Sequence, residues 1–200
     1  MLNLKKIAIT GTVATGKSTV CRILKDHGAS TLSSDKIIHQ LLANDPLCIK
    51  QITSLFGSQV TTDKKIDRKK VADIVFNDEK KLEALESLLH PLLLRRIDEE
   101  FKKVEAEGKN KYFVVELPLV QEIGKEEDFD LIVAVVSDND KAVKRFTQAG
   151  FTKNSLLKRN ARQWDSEKKA KYADYVIEND GTVENLKQKV LEMIKEIDSQ

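Results

Sequence analysis

Gly11-Thr12-Val13-Ala14-Thr15-Gly16-Lys17-Ser18 decides how this chain is read. It matches G-x-x-x-x-G-K-[ST], and it stands between the apolar run Lys6–Thr10 and a helical pattern over Ser18–His27. At ordinary residue frequencies those four specified positions recur by chance in roughly one per cent of chains this long. Small residues let successive backbone N–H groups turn inward around phosphate oxygens, and the helix points its positive dipole end at the same charge. Lys17 is then placed for the β- and γ-phosphates, and the Ser18 hydroxyl for a Mg²⁺ shell. A glycine turn with an accidental Lys-Ser is the bland alternative, and the strand–loop–helix setting disfavours it. The pattern predicts a nucleoside-triphosphate site.

Outward from that loop, short apolar runs alternate with longer helical patterns, as in a parallel sheet covered by helices. The predicted strands are Lys6–Thr10, Ser30–Ser33, Tyr112–Leu117, Leu131–Val136 and Tyr175–Ile177. Several are continuous apolar runs, which suits strands buried on both faces. Leu82, Leu85, Leu88, Leu89, Leu92, Leu93, Ile97, Phe101 and Val104 keep helical spacing, with Pro91 either kinking one helix or opening a second. An amphipathic helix is expected over Val183–Ile197. The expected fold is α/β: a three-layer P-loop NTPase type with a five-stranded parallel sheet. The expected divisions are a nucleotide-binding core (about 1–35, 110–147 and 172–200), a helical insertion (about 36–109) and a small polar lid (about 148–171).

The 200 residues suffice for a sizeable core, with 40% hydrophobic residues. The 34 Lys and Arg nearly cancel the 32 Asp and Glu, leaving a net charge of +2, which argues against a nucleic-acid binder working through a basic field. The longest apolar run, Leu131–Val136, is far short of the ~20 residues that span a bilayer. No secretory signal core follows Lys5-Lys6, and Cys21 and Cys48 are too few for a disulfide scaffold. A cytoplasmic, monomeric protein with neither nucleic-acid nor membrane partners is expected.

The D-x-x-G and N-K-x-D elements of a GTPase switch are absent from the sequence, and a large motor needs more chain. A small kinase remains. Such an enzyme needs a group to orient or deprotonate the acceptor hydroxyl. Asp35, at the expected carboxyl end of the second strand, fits; on spacing alone it equally fits an N-cap of a helix Lys36–Leu42.

The resemblance is specific. Ile9-Thr10-Gly11 through Gly16-Lys17-Ser18-Thr19-Val20, Ser33-Ser34-Asp35, Leu89-His90-Pro91 and Glu116-Leu117-Pro118-Leu119-Val120-Gln121-Glu122 occur in order. Lys144-Arg145, Arg159 with Gln163, and Ala173-Asp174-Tyr175-Val176-Ile177-Glu178-Asn179-Asp180-Gly181 follow. Together they resemble the dephospho-CoA kinase family, along nearly the whole chain. The resemblance implies transfer of phosphate from ATP, with Mg²⁺, to the ribose 3′-hydroxyl of dephospho-CoA. It further implies a catalytic set of Asp35, Lys17, Arg145 and Arg159, and ATP contacts at Gly11, Ala14, Thr15, Gly16, Lys17, Ser18, Thr19, Asn179 and Gly181. Acceptor contacts fall on Asp35 and His90, and metal contacts on Ser18 and, one shell further out, Glu116.

Blander readings stand beside these: a strand-end carboxylate for Glu116, a structural histidine for His90, and solvated helix charges for Arg145, Arg159 and Arg162. Glu122 could be functional or a solvated helix start, and Trp164 could pack the hinge of the lid or stack a base. The chain departs from the family pattern at Thr12 and Ala14, where two glycines are usual. It departs again at Ser33, where an acid is usual, and at Ala149-Gly150, where an arginine often follows. The rival functions are another small nucleoside or nucleotide kinase and a non-catalytic nucleotide-binding module.

Overall fold

Runs of four to six apolar or β-branched residues are too short to hide a helix face, so they pair as strands, and the longer periodic stretches coil around them. The computed structural model describes residues 4–76 and 78–199. In chain order the first elements are β1 (Lys5–Thr10), α1 (Lys17–Asp26), β2 (Ser30–Ser33), α2 (Ser34–Asn44), α3 (Pro46–Phe56), β3 (Thr61–Thr62), β4 (Lys65–Ile66), α4 (Arg68–Val75) and α5 (Glu79–Glu107). There follow β5 (Tyr112–Glu116), β6 (Leu131–Val136), α6 (Asn139–Gln148), α7 (Lys153–Asn160), α8 (Ser166–Lys171), β7 (Tyr175–Glu178) and α9 (Val183–Ser199). The chain divides into two compact units, one comprising residues up to Leu32 and from Val104 onward, the other Ser33–Lys103.

The first unit is organised by a five-stranded sheet of order β2-β5-β1-β6-β7. β1 runs parallel to both β5 and β6, and β6 runs parallel to β7. Alternation along buried strands sorts side chains onto two faces. Ile7, Ile9, Val114, Val133, Val135 and Ile177 join one core with Val20, Ile23 and Leu24 of α1 and Leu186, Val190, Met193 and Ile197 of α9. The intervening Ala8, Phe113, Val115, Ile132 and Ala134 are also buried, so the central strands read as unbroken apolar runs. The polar lid stretch is not loose throughout: it forms α7 and α8, and both Leu156 and Lys169 are buried.

In the second unit α5 runs unbroken through Pro91. A proline inside a helix removes one hydrogen bond and costs ~3 kcal/mol or more. Leu89, Leu92, Leu93 and Ile97 are buried around it and hold the helix across the break. Opposite charges three and four residues apart line the outer face, such as Arg95 and Arg96 with Glu99, and each exposed pair of this kind adds only a few tenths, about 0.3–0.5 kcal/mol. The small β3–β4 hairpin turns at Asp63-Lys64, both at positive φ (51° and 62°) as a tight two-residue turn requires. One expectation is corrected here: α2 begins at Ser34, with Ser33 at its N-cap, so Asp35 lies in the first turn and is not the cap.

Candidate active site

The sheet order reverses about β1, and ligands of open α/β sheets bind where that happens, beyond the carboxyl ends of the strands. The register pairs Ile9 with Glu116, Thr10 with Ala134, and Val136 with Glu178. The residues that leave β1, β5, β6 and β7 therefore emerge side by side. They are Gly11, Glu116, Ser137 and Asn179.

Gly11 and Gly16 are required by close approach. A Cβ on Gly11 (φ 142°) would run into the carbonyl of Val135, and one on Gly16 (φ 103°) into the side-chain amide of Asn179. Ala14 holds a left-handed conformation, φ 63°, that glycine adopts more readily. Inside the loop, Lys17 Nζ (2.7 Å) and Thr15 Oγ1 (3.1 Å) both donate to the Thr12 carbonyl. The N-terminus of α1 has no side-chain cap and no acid in its first turn. Its N–H groups are thus left for an anion. Thr19 lies in that turn, its N–H on the Gly16 carbonyl.

Ser18 Oγ donates to Glu116 Oε1 at 2.8 Å. A hydroxyl and a carboxylate side by side are hard oxygen donors, the set that suits Mg²⁺. Among the described residues no group of three or more His, Cys, Asp or Glu forms a metal cage. A cation here would take most of its oxygens from phosphates and water, which is the usual habit of Mg²⁺. Cys21, one turn beyond Ser18, has its thiol pushed far up by burial and further by Glu116, so it stays protonated.

Asn179 forms the other wall. Its Nδ2 donates to the Thr15 carbonyl at 2.8 Å, and its own carbonyl accepts from Arg145 Nη2 at 2.8 Å. Arg145 Nη1 also reaches Ser137 Oγ at 3.0 Å. In this conformation Arg145 braces the β7 exit, and Asn179 passes that support to the phosphate loop. Asp180 accepts from the Asp138 N–H and Ser137 Oγ, which holds its carboxyl below the usual range. The segment Asn179–Gly181 is a loop preceding α9, which starts only at Val183.

Two residues that carried no sequence signal meet the loop, and a third lies behind its stem. Asn160 Oδ1 accepts from the Val13 N–H at 3.3 Å, and Ser166 Oγ lies 3.2 Å from Thr12 Oγ1. Lys169 is wholly buried, its Nζ 2.8 Å from Glu122. Burial pushes its pKa down and Glu122 partly restores it. Glu122 is therefore neither solvated nor unpartnered. Arg159 instead lies exposed over the rings of Phe151 and Phe146, 5.5 and 5.8 Å from their centres. Trp164 packs against Tyr172 at 5.6 Å with Lys168 over its face, and its backbone N–H donates to Glu122.

Asp35 and His90 belong to the second unit. Asp35 is exposed in the first turn of α2. His90 is half-buried on α5, and burial, opposed in part by Glu86, holds it below the usual histidine range. The same unit contains a cavity of about 370 Å³ with apolar walls from Ile37, Leu41 and Leu92 and with Arg95 and Arg96 at its lining.

By fold and by site this is a P-loop kinase, a phosphate loop set at the switch point of a parallel sheet with a hydroxyl–carboxylate pair at its edge. The model of the dephospho-CoA kinase family matches residues 5–185, and the chain belongs to that family. It is 37% identical over 200 residues to the dephospho-CoA kinase of Protochlamydia amoebophila, covering 98% of each chain. Among solved structures, the dephospho-CoA kinase from Campylobacter jejuni superposes with a TM-score of 0.72 at 31% identity, covering 97% of both chains. A Thermus thermophilus protein superposes with a TM-score of 0.82 at 28% identity, covering 97% of this chain and 98% of its own.

Proposed function

We propose that this protein transfers the γ-phosphoryl group of ATP to the ribose 3′-hydroxyl of dephospho-CoA, giving CoA and ADP, the last step of CoA biosynthesis. The observation that carries this reading is the nearly full-length family match on a chain whose Gly11–Ser18 loop is formed with an uncapped helix behind it.

The backbone N–H groups of Gly11–Ser18 take the phosphate oxygens, and Lys17 leaves the Thr12 carbonyl to lie along the β- and γ-phosphates. Ser18, with Glu116 behind it, would hold Mg²⁺, which would supply positive charge to offset that of the phosphates. Asn179 and Gly181 line the nucleotide side, where Asn179 already fixes the Thr15 carbonyl. Asp35 orients the acceptor hydroxyl and receives its proton, and His90 positions the acceptor. The cavity beside Arg95 and Arg96 suits an acceptor that carries both an apolar arm and phosphates. Arg145 acts by holding Asn179, and Arg159 swings from its aromatic rest onto the transferring phosphoryl. No helix among the described residues is long and apolar enough to cross a membrane. We place the enzyme in the cytoplasm as a monomer.

Asp35→Asn tests the chemical half of this reading. Asn keeps the size and the helix-terminal polarity of Asp but loses the charge that takes the proton. The expected loss in kcat is ~100-fold or more, the scale of general-base catalysis, with ATP affinity little changed. A variant that keeps most of its kcat toward dephospho-CoA removes Asp35 from the mechanism.

A further inference from the structure

Lys169 occupies a position that polarity alone would not give a lysine. Its side chain has no solvent exposure. Its ammonium spends its donors on three acceptors, Thr10 Oγ1 at 3.1 Å on one piece of chain and, on the turn after β5, the Pro118 carbonyl at 2.7 Å and Glu122 at 2.8 Å. Thr10 is the last residue of β1, immediately before the phosphate loop, and itself donates to the Pro118 carbonyl at 3.0 Å. Pro118 lies two residues past Glu116, the carboxylate paired with Ser18. The lysine is fixed from its own side as well, because Gln121 Nε2 donates to its carbonyl at 3.1 Å.

Stability does not account for this arrangement. Bringing an ammonium and a carboxylate out of water is costly, and an apolar pair of similar volume is commonly as stable or more so. Glu122 needs the lysine as a counter-charge only because both ions are placed there. Without it, Thr10 would still bond the Pro118 carbonyl, and the Trp164 N–H would still hold Glu122. What the ammonium adds is a rigid three-way joint. It ties the stem of the phosphate loop to the segment just behind Glu116, and both to α8, whose first residue, Ser166, meets the loop at Thr12.

We propose that Lys169 is a positioning residue for phosphoryl transfer: through Thr10 and Pro118 it sets the phosphate loop and Glu116 at one fixed separation. The proposal rests on the kinase function above and extends it to a residue that touches neither substrate. Misplacement by about 1 Å of groups that orient a reacting phosphate can cost ~100-fold in rate, so the joint belongs in kcat rather than in binding.

The test replaces the charges on both sides, Lys169→Met with Glu122→Gln, which keeps an acceptor for the Trp164 N–H. Two quantities are read: steady-state kinetics with ATP and dephospho-CoA, and amide exchange of the nucleotide-free protein. The expected result is a folded variant with kcat down ~10-fold or more, KM for dephospho-CoA within about twofold, and faster exchange confined to residues 11–16. A folded variant with kcat within about twofold of the parent overturns the proposal. So does a fall in kcat accompanied by faster exchange over the whole sheet, which marks a stabilising role only. If this variant does not fold, Lys169→Gln with Glu122→Gln keeps neutral polar side chains at both places while shortening the reach to Thr10, and leaves the Thr10–Pro118 bond intact. A lowered kcat at steady KM then supports the proposal, and full kcat overturns it. Turnover by the unmodified enzyme separates the two readings, since its absence refutes the function while the exchange data still judge the joint.

Discussion

Gly16 is the position where the geometry of the phosphate loop can be converted most directly into a measurable cost. Its φ of 103° lies in left-handed space, where a side chain costs roughly 1–2 kcal/mol. The Cβ of an alanine would also collide with the Asn179 amide that holds the Thr15 carbonyl. Losing that bond removes a net ~0.5–1.5 kcal/mol and leaves a polar group of a fully buried residue poorly paired. Gly16→Ala should therefore destabilise the fold by about 2–4 kcal/mol, or roughly 4–16 °C in Tm for a chain this size. In the same variant kcat/KM for ATP should fall ~10–100-fold, because the loop N–H groups are misaimed. Urea melts of Gly16→Ala, Asn179→Ala and the double variant check the collision itself. Removing the Asn179 side chain relieves it, so the double variant should be less destabilised than the sum of the singles by ~1 kcal/mol or more. Additive effects, or a Gly16→Ala protein within about 0.5 kcal/mol of the parent, would refute the reasoning.

Lys17→Ala removes the loop cation intended for the β- and γ-phosphates. Turnover should drop ~100-fold or more in an assay at saturating ATP while the circular dichroism spectrum persists; an unchanged rate would detach this loop from the chemistry. Amide exchange across α7 should slow when ATP and dephospho-CoA bind together, as Arg159 leaves Phe146 and Phe151, whereas equal protection with and without ligands would remove this segment from closure. For His90 the sign follows from burial: the folded state holds its pKa down, so the unfolded chain binds the extra proton as pH falls through ~6.5. Stability should decline below that pH, and urea titrations of His90→Gln should show a shallower decline; an identical slope would contradict the burial argument.

The loop and the strands around it were legible because their signals are local. Gly11–Ser18 carries its own spacing, and strands buried on both faces announce themselves as apolar runs. Pro91 was not decidable in this way, since only the packing of Leu89, Leu92 and Leu93 settles whether the helix continues. The β3–β4 hairpin is not legible in the sequence because its turn, Asp63-Lys64, lacks the glycine that usually marks positive φ. Lys169 was hidden most completely. A lysine in a cation-rich stretch reads as solvated, and its burial is decided by Thr10, 159 residues away in sequence. The sequence marks Arg145 as a functional candidate, but its partners are Ser137 and the Asn179 carbonyl, tertiary contacts that no motif encodes.

The central claim is that ATP is consumed here in order to phosphorylate the 3′-hydroxyl of dephospho-CoA. Purified enzyme incubated with ATP, Mg²⁺ and dephospho-CoA should form ADP and CoA in equal amounts, with the new phosphorus resonance assigned to a 3′-phosphomonoester. ADP formation should stay at background when dephospho-CoA is left out or replaced by adenosine, AMP or shikimate. ADP released at the same rate without dephospho-CoA, or phosphate appearing on another acceptor in its place, would contradict the account.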